Sequence, residues 1–155
     1  MWLNLLLIAF LGFMIYYWGS VQGLFSAFLH LLATIVAGAW ALVLWEPLTL
    51  GYLMNRFAEY AWAAGLLGPF TLFLILFRAV LDKLVPGNVH FSVWVNASAG
   101  GFLGLLSGIL TAGILLIGLN FLPLPDDFLG WQPMVMSPNG QAQPNTAGLW
   151  IDADR

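Results

Sequence analysis

Long apolar runs parted by short polar breaks organise this chain. From Trp2 to Trp18 every residue but Asn4 is apolar, aromatic or glycine, and "GSVQG" (Gly19–Gly23) interrupts the run before a second one from about Leu24 to Trp45. Each approaches the ~20 residues that cross a bilayer. Glu46-Pro47 closes the second run. Residues 48–65, "LTLGYLMNRFAEYAWAAG", then set Asn55, Arg56 and Glu59 among apolar and aromatic neighbours, the mixture of a helix lying in the membrane interface. A third run covers about Leu66 to Leu84 and ends before the turn signal Pro86-Gly87-Asn88, and a fourth begins near Asn96 and stops at Pro123. Trp2, Trp18, Trp45, Trp62 and Trp94 fall at the proposed ends, as in an aromatic belt. The pattern predicts an all-α integral membrane protein: four transmembrane helices (2–18, 24–45, 66–84, 96–122) in a compact bundle, one interfacial helix and a flexible tail from 123 to 155.

Composition supports this class. Of 155 residues 61% are hydrophobic and 7% charged, and the mean hydropathy is +0.92, outside the range of soluble domains. No side chain that carries charge near neutral pH, His30 apart, precedes Glu46. The first run lacks the basic region and small-residue cleavage site of a secretory signal, so it reads as a helix that stays. There is no cysteine, hence no disulfide or thiolate chemistry. Five of the eight prolines lie beyond Leu122, in a composition too poor in apolar residues to bury a core. Residues 1–122 balance three acids and three bases, while Asp126, Asp127, Asp152 and Asp154 against Arg155 give the tail the whole net charge of −3. That leaves no basic stripe for nucleic acid and no polybasic cluster for lipid. The bilayer is the expected partner.

The densest anomaly is "AGGFLGLLSGILTAG", Ala99–Gly113, with five glycines in fifteen helical positions, each about 1 kcal/mol worse than alanine in a helix. At 100° per residue, Ala97, Gly100, Gly101, Gly104, Ser107, Gly108, Thr111 and Ala112 share an arc of roughly 140°. The spine is Gly100, Gly104 and Gly108. A smooth face permits close backbone approach, which matters in lipid because apolar contact there gains nothing from leaving water. The second run repeats the device: Gly23, Ser26, Ala27, His30, Ala33, Thr34, Ala37, Gly38 and Ala41 fill a similar arc. Helices two and four run parallel in a four-span chain. Their small faces are therefore expected to meet each other or a second copy, with other membrane proteins as further candidates. The packing set is Gly23, Ala27, Thr34, Gly38, Gly100, Gly101, Gly104, Gly108 and Ala112.

The order Asn96-Ala97-x-x-Gly100-x-x-x-Gly104-x-x-Ser107-Gly108, with "Trp18-Gly19-Ser20-Val21-Gln22-Gly23-Leu24-Phe25" at the end of the first run, resembles the colicin V production (CvpA) family. The resemblance spans about residues 1–122. It implies four hydrophobic spans in a bacterial inner membrane and a part in toxin production or export, and it supplies no catalytic residues. Asn4, Gln22, Asn96 and Ser107 stand where the family pattern has Asp, Arg, Asp and Arg, and Ala97 replaces a further Arg. Every charged mark of the pattern is neutral in this chain, while its glycines are retained.

The remaining polar residues point away from catalysis. His30 and His90 have no carboxylate at ligand spacing, so no metal or cofactor site is expected. His30, Asn96 and Ser107 are the polar groups placed within the membrane. His30 is read as an interhelical hydrogen-bonding group, with Ser107 or Asn96 as partner, against a proton-handling alternative. Arg78 and Asp82, four apart, suit a rim ion pair with a snorkelling arginine. Asp126-Asp127 follow a Pro-Leu-Pro turn and read as solvated charge. No serine has a nucleophile-elbow context. An enzyme is not expected. A membrane scaffold or export-associated component, a small transporter or channel subunit, and a holin-like lesion former remain, the acidic tail speaking against the last. Arg78 and Lys83 against Arg56 place Gly19–Gly23 and the loop at Lys83–Val95 in the cytoplasm and both termini outside.

Overall fold

The computed structural model describes residues 2–84, 92–123, 134–136 and 142–144. Among the described residues, four helices are long and apolar enough to cross a membrane: α1 (Trp2–Gln22), α2 (Leu24–Phe57), α3 (Ala61–Leu84) and α4 (Val93–Asn120). The chain is an all-α, multi-pass membrane protein. Phe10–Leu122 form one compact unit, and Met1–Ala9 with Pro123–Arg155 form a second. In the second unit two three-residue strands, β1 (Met134–Met136) and β2 (Ala142–Pro144), pair antiparallel with Val135 opposite Gln143. The rest of the segment expected to be a flexible tail, including Asp126 and Asp127, lies outside the described residues, as do His90 and most of the Lys83–Val95 loop.

In lipid the backbone must satisfy its own hydrogen bonds, so helices persist through residues that would end them in water. This accounts for three departures from the expected boundaries. α1 runs through "GSVQ" as a π turn, Tyr17–Gln22, and ends only at Gly23, whose φ of 85° is open to glycine and strained for other residues. α2 is not closed by Glu46-Pro47. Proline withdraws one N–H, the donor that Val43 would otherwise receive, and a π turn over Thr49–Leu53 takes up the change of register, with the Thr49 N–H shared between the carbonyls of Trp45 and Glu46. No separate interfacial helix forms. Residues 48–57 extend α2, and Trp62 to Gly65 become the first turn of α3. At 1.5 Å per residue, the 34 residues of α2 measure about 50 Å against a hydrocarbon thickness of ~30 Å. The end bearing Asn55 and Arg56 therefore projects beyond it.

Two clusters fill the Phe10–Leu122 unit. Ala37 and Ala41 of α2 pack with Leu66 and Phe70 of α3, and Trp45, Phe73, Leu74, Phe77 and Ile114 close around them. Met14 and Trp18 of α1 pack with Ala27 of α2, flanked by Phe10, Tyr17 and Leu103. α2 and α3 are antiparallel, since Ser26 meets Arg78 at one end and Thr49 meets Ala61 at the other. α2 and α4 are parallel, since Leu24 meets Asn96 and Gly38 meets Ile114.

The small face of α4 lies mainly on α1, and meets the start of α2 only at Gly100, where a Cβ would come 3.1 Å from the Leu24 nitrogen and 3.3 Å from the Gly23 carbonyl carbon. A Cβ added at Gly104 would come 2.6 Å from the Met14 carbonyl oxygen and 2.8 Å from Trp18 Cβ, and one at Gly100 would come 2.9 Å from the Trp18 carbonyl oxygen. Gly101 faces Ile15, and Gly108 faces Leu11 and Met14. The contact is reciprocal at Gly19, where a Cβ would sit 2.7 Å from the Ala97 carbonyl oxygen. α1 supplies only two glycines and reads as uniformly apolar, so no periodicity marks it as the partner. α2 divides its own small face: Ala37 and Ala41 admit Leu66 and Phe70 of α3, and Gly38 admits the Ile114 side chain of α4.

Candidate functional site

A connected group of polar side chains lies at one end of the bundle, where α1 ends, α2 begins, α3 approaches its last turn and α4 begins. Arg78 enters from α3. Its Nη2 donates to Ser26 Oγ at 2.9 Å and its Nη1 to the Ser26 carbonyl at 3.4 Å. Nη2 also pairs with Asp82 Oδ1 at 2.9 Å. The predicted i,i+4 pair is formed, but the arginine is not confined to the rim: it reaches inward to α2 and stands 5.3 Å from the centre of the Trp18 ring, a cation–π distance. Asp82 is 57% exposed, so its pairing contributes little stability, whereas Arg78 is 24% exposed and tied to a buried serine.

Trp18, placed by its sequence position in an aromatic belt, is instead 5% exposed. Its ring stacks on His30 with centroids 4.3 Å apart and planes 20° apart. Burial follows from the smooth face of α4, because Gly104 leaves the volume that the indole occupies. Trp18 Nε1 and His30 Nδ1 are both buried without a hydrogen-bond partner.

The expected bond from His30 to Ser107 or Asn96 does not form. Ser107, fully buried, donates its hydroxyl to the Gly104 carbonyl of its own helix at 3.0 Å. Asn96 Oδ1 accepts the Leu24 N–H at 3.1 Å. It thereby caps α2 from 72 residues away, the place a local Ser or Asp would take if Gly23 were not needed for the positive φ. Levels along α2 and α4 do match, as the parallel packing requires. No family model, no curated protein and no solved structure matches this chain.

The packing residues are placed as follows. Gly100, Gly101, Gly104, Gly108 and Ala112 are buried on α4, and Ala27, Thr34 and Gly38 on α2. Thr34 donates to the His30 carbonyl at 2.9 Å, which satisfies its hydroxyl within the helix. Gly23 is half-buried at the α1–α2 break, with the Asn96 amide 3.4 Å from where its Cβ would be. The structure adds Tyr17, Gln22, Ser26 and Trp18 to the polar end: Gln22 Nε2 donates to the Tyr17 hydroxyl at 2.8 Å, and Ser26 Oγ to Gln22 Oε1 at 3.5 Å. One signal in the sequence could have found them. Trp18, Gln22, Ser26 and His30 recur every fourth residue, a stripe that survives the break at Gly23.

Two cavities border this end. One of about 310 Å³ is lined by Gly19 to Gly23 with Val93, Asn96 and Ala97. The other, about 360 Å³, lies between α2 and α3 beside Arg78. Among the described residues, no group of three or more His, Asp or Glu side chains could hold a metal ion. The arrangement ties α1, α2, α3 and α4 to one another through Arg78, Ser26, Gln22 and Asn96.

Proposed function

We propose that this chain is a bacterial inner-membrane scaffold, of the kind its CvpA-like motifs imply, that supports production or export of a toxin of the colicin V type without catalysing a reaction. The observation that carries the scaffold reading is the filling of the space between α2 and α3. Ala37, Ala41 and Leu66 are 0% exposed and Phe70 is 2% exposed, so apolar side chains occupy the region where a solute path through one bundle would need polar groups. The opposite properties meet at the ends. There Arg78, Asp82 and Asn96 lie at one surface, and Arg56 and Glu59 are exposed at the other.

Two measurements test this reading. Deleting the chain from a toxin-secreting host should lower the toxin released into the medium without lowering its synthesis, and an unchanged release contradicts the proposal. Purified protein in liposomes should pass neither ions nor a small fluorescent solute. Selective flux would establish the transporter or channel alternative, and unselective leakage the lesion former.

A further inference from the structure

The groove of about 360 Å³ between α2 and α3 is lined by His30, Leu74, Ile75, Arg78, Ala79 and Asp82. It opens outward, since Ile75 is 63% exposed and Ala79 is exposed beside it. Its polarity is graded along α3. Leu74 and Ile75 lie about one turn deeper in the span than Arg78, and Asp82 lies one turn nearer the helix end at Leu84. That is the polarity of a phospholipid, charged at the surface and apolar below it.

Arg78 has five N–H donors in a planar fork. Ser26 and Asp82 engage both hydrogens of Nη2 and one of Nη1, which leaves the Nε hydrogen and one on Nη1, on different edges of the guanidinium, each able to meet an acceptor singly. Charge favours an anion at this end. Arg78 and Lys83 outnumber Asp82, whereas Glu46 and Glu59 outnumber Arg56 at the other. Asp82 opposes an incoming phosphate, but it is more than half exposed and screened by water, while Arg78 is mostly shielded. The inner wall is held by His30, fixed by stacking on Trp18.

We infer that this groove binds an anionic phospholipid, with the headgroup phosphate on Arg78 and an acyl chain along Leu74, Ile75 and Ala79. The arginine meets the phosphate as a fixed cation, through a single charge-assisted N–H bond to one of its oxygens. The inference is independent of toxin export and stands or falls on lipid binding alone.

Native mass spectrometry of the detergent-solubilised chain, titrated with phosphatidylglycerol or phosphatidylcholine, tests it. The unaltered chain should hold phosphatidylglycerol about tenfold more tightly, a difference of ~1.4 kcal/mol. Arg78→Gln should abolish that preference by removing the cation, and Ala79→Trp should abolish it by filling the groove from an exposed position that makes no contact with Ser26. Thermal melting checks that each variant is folded, and if Arg78→Gln is not, Ala79→Trp decides. Glycerol phosphate, which has no acyl chain, should not compete at millimolar concentration. No preference in the unaltered chain, a preference kept by either folded variant, or competition by glycerol phosphate overturns the assignment.

Discussion

The α1–α4 seam and the α2–α3 interface hold helices together by different means. In the seam, glycine removes side chains so that backbone meets backbone: Gly100, Gly104 and Gly19 each lie where a Cβ would come within 3 Å of a carbonyl oxygen across the interface. Between α2 and α3, small residues on one helix make room for large ones on the other, Ala37 and Ala41 for Leu66 and Phe70. A backbone neighbour cannot rotate away, whereas a side chain can change rotamer. The contrast extends to Gly118, whose added Cβ would first meet the side chain of Leu67 and not a backbone. A glycine is therefore informative according to what stands opposite it.

The largest loss is expected from Gly104→Leu, which drives an isobutyl group against the Met14 carbonyl and the Trp18 side chain. Melting in detergent should show a destabilisation of about 3 kcal/mol or more, together with release of Trp18 from its burial. Phe70→Ala attacks the other interface by leaving a void. In lipid the water-transfer part of the usual penalty is small, so the cavity part dominates and about 2 kcal/mol is expected; a loss equal to that of Gly104→Leu would erase the distinction between the interfaces. Asn96→Ala removes the amide that caps α2 and should cost about 1 kcal/mol, read as faster amide exchange at Leu24 in particular. Gly113→Ala should be neutral or stabilising by up to about 1 kcal/mol, because nothing lies within 4 Å of its would-be Cβ. Destabilisation there would mean that glycines of this helix matter irrespective of their surroundings.

The contrast also marks what was legible in the sequence. The four helices were, because twenty apolar residues in a row have few alternatives, and the small arc of α4 was visible because helical period and residue size suffice to define it. Its partner was not visible. α1 meets the glycines with Leu11, Met14, Ile15 and Trp18, residues that look the same whether they face lipid or protein. The ion pair of Arg78 and Asp82 could be read from spacing within one helix, but the reach of Arg78 to Ser26 depends on how α2 and α3 are juxtaposed. Asn96 was picked out as polar in an apolar setting. Its role as a cap for Leu24 required knowing that the two helices start side by side. The helix ends expected at Trp18 and at Glu46-Pro47 were misjudged for one shared reason, that breakers weaken where water cannot take over the freed backbone groups.

The central claim is that α1 of the same chain closes the glycine face of α4. Because the chain has no cysteine, an introduced pair reports without background. Met14→Cys with Gly108→Cys is the apt choice, since a Cβ at Gly108 lies 3.3 Å from Met14 Cβ, within a few tenths of an ångström of the spacing that a disulfide needs. Oxidation in the membrane should give an intramolecular crosslink, seen as a monomer of altered mobility whose yield does not depend on protein density. Gly38→Cys with Gly108→Cys should give none. Covalent dimers from the first pair, or an intramolecular crosslink from the second, would contradict the account.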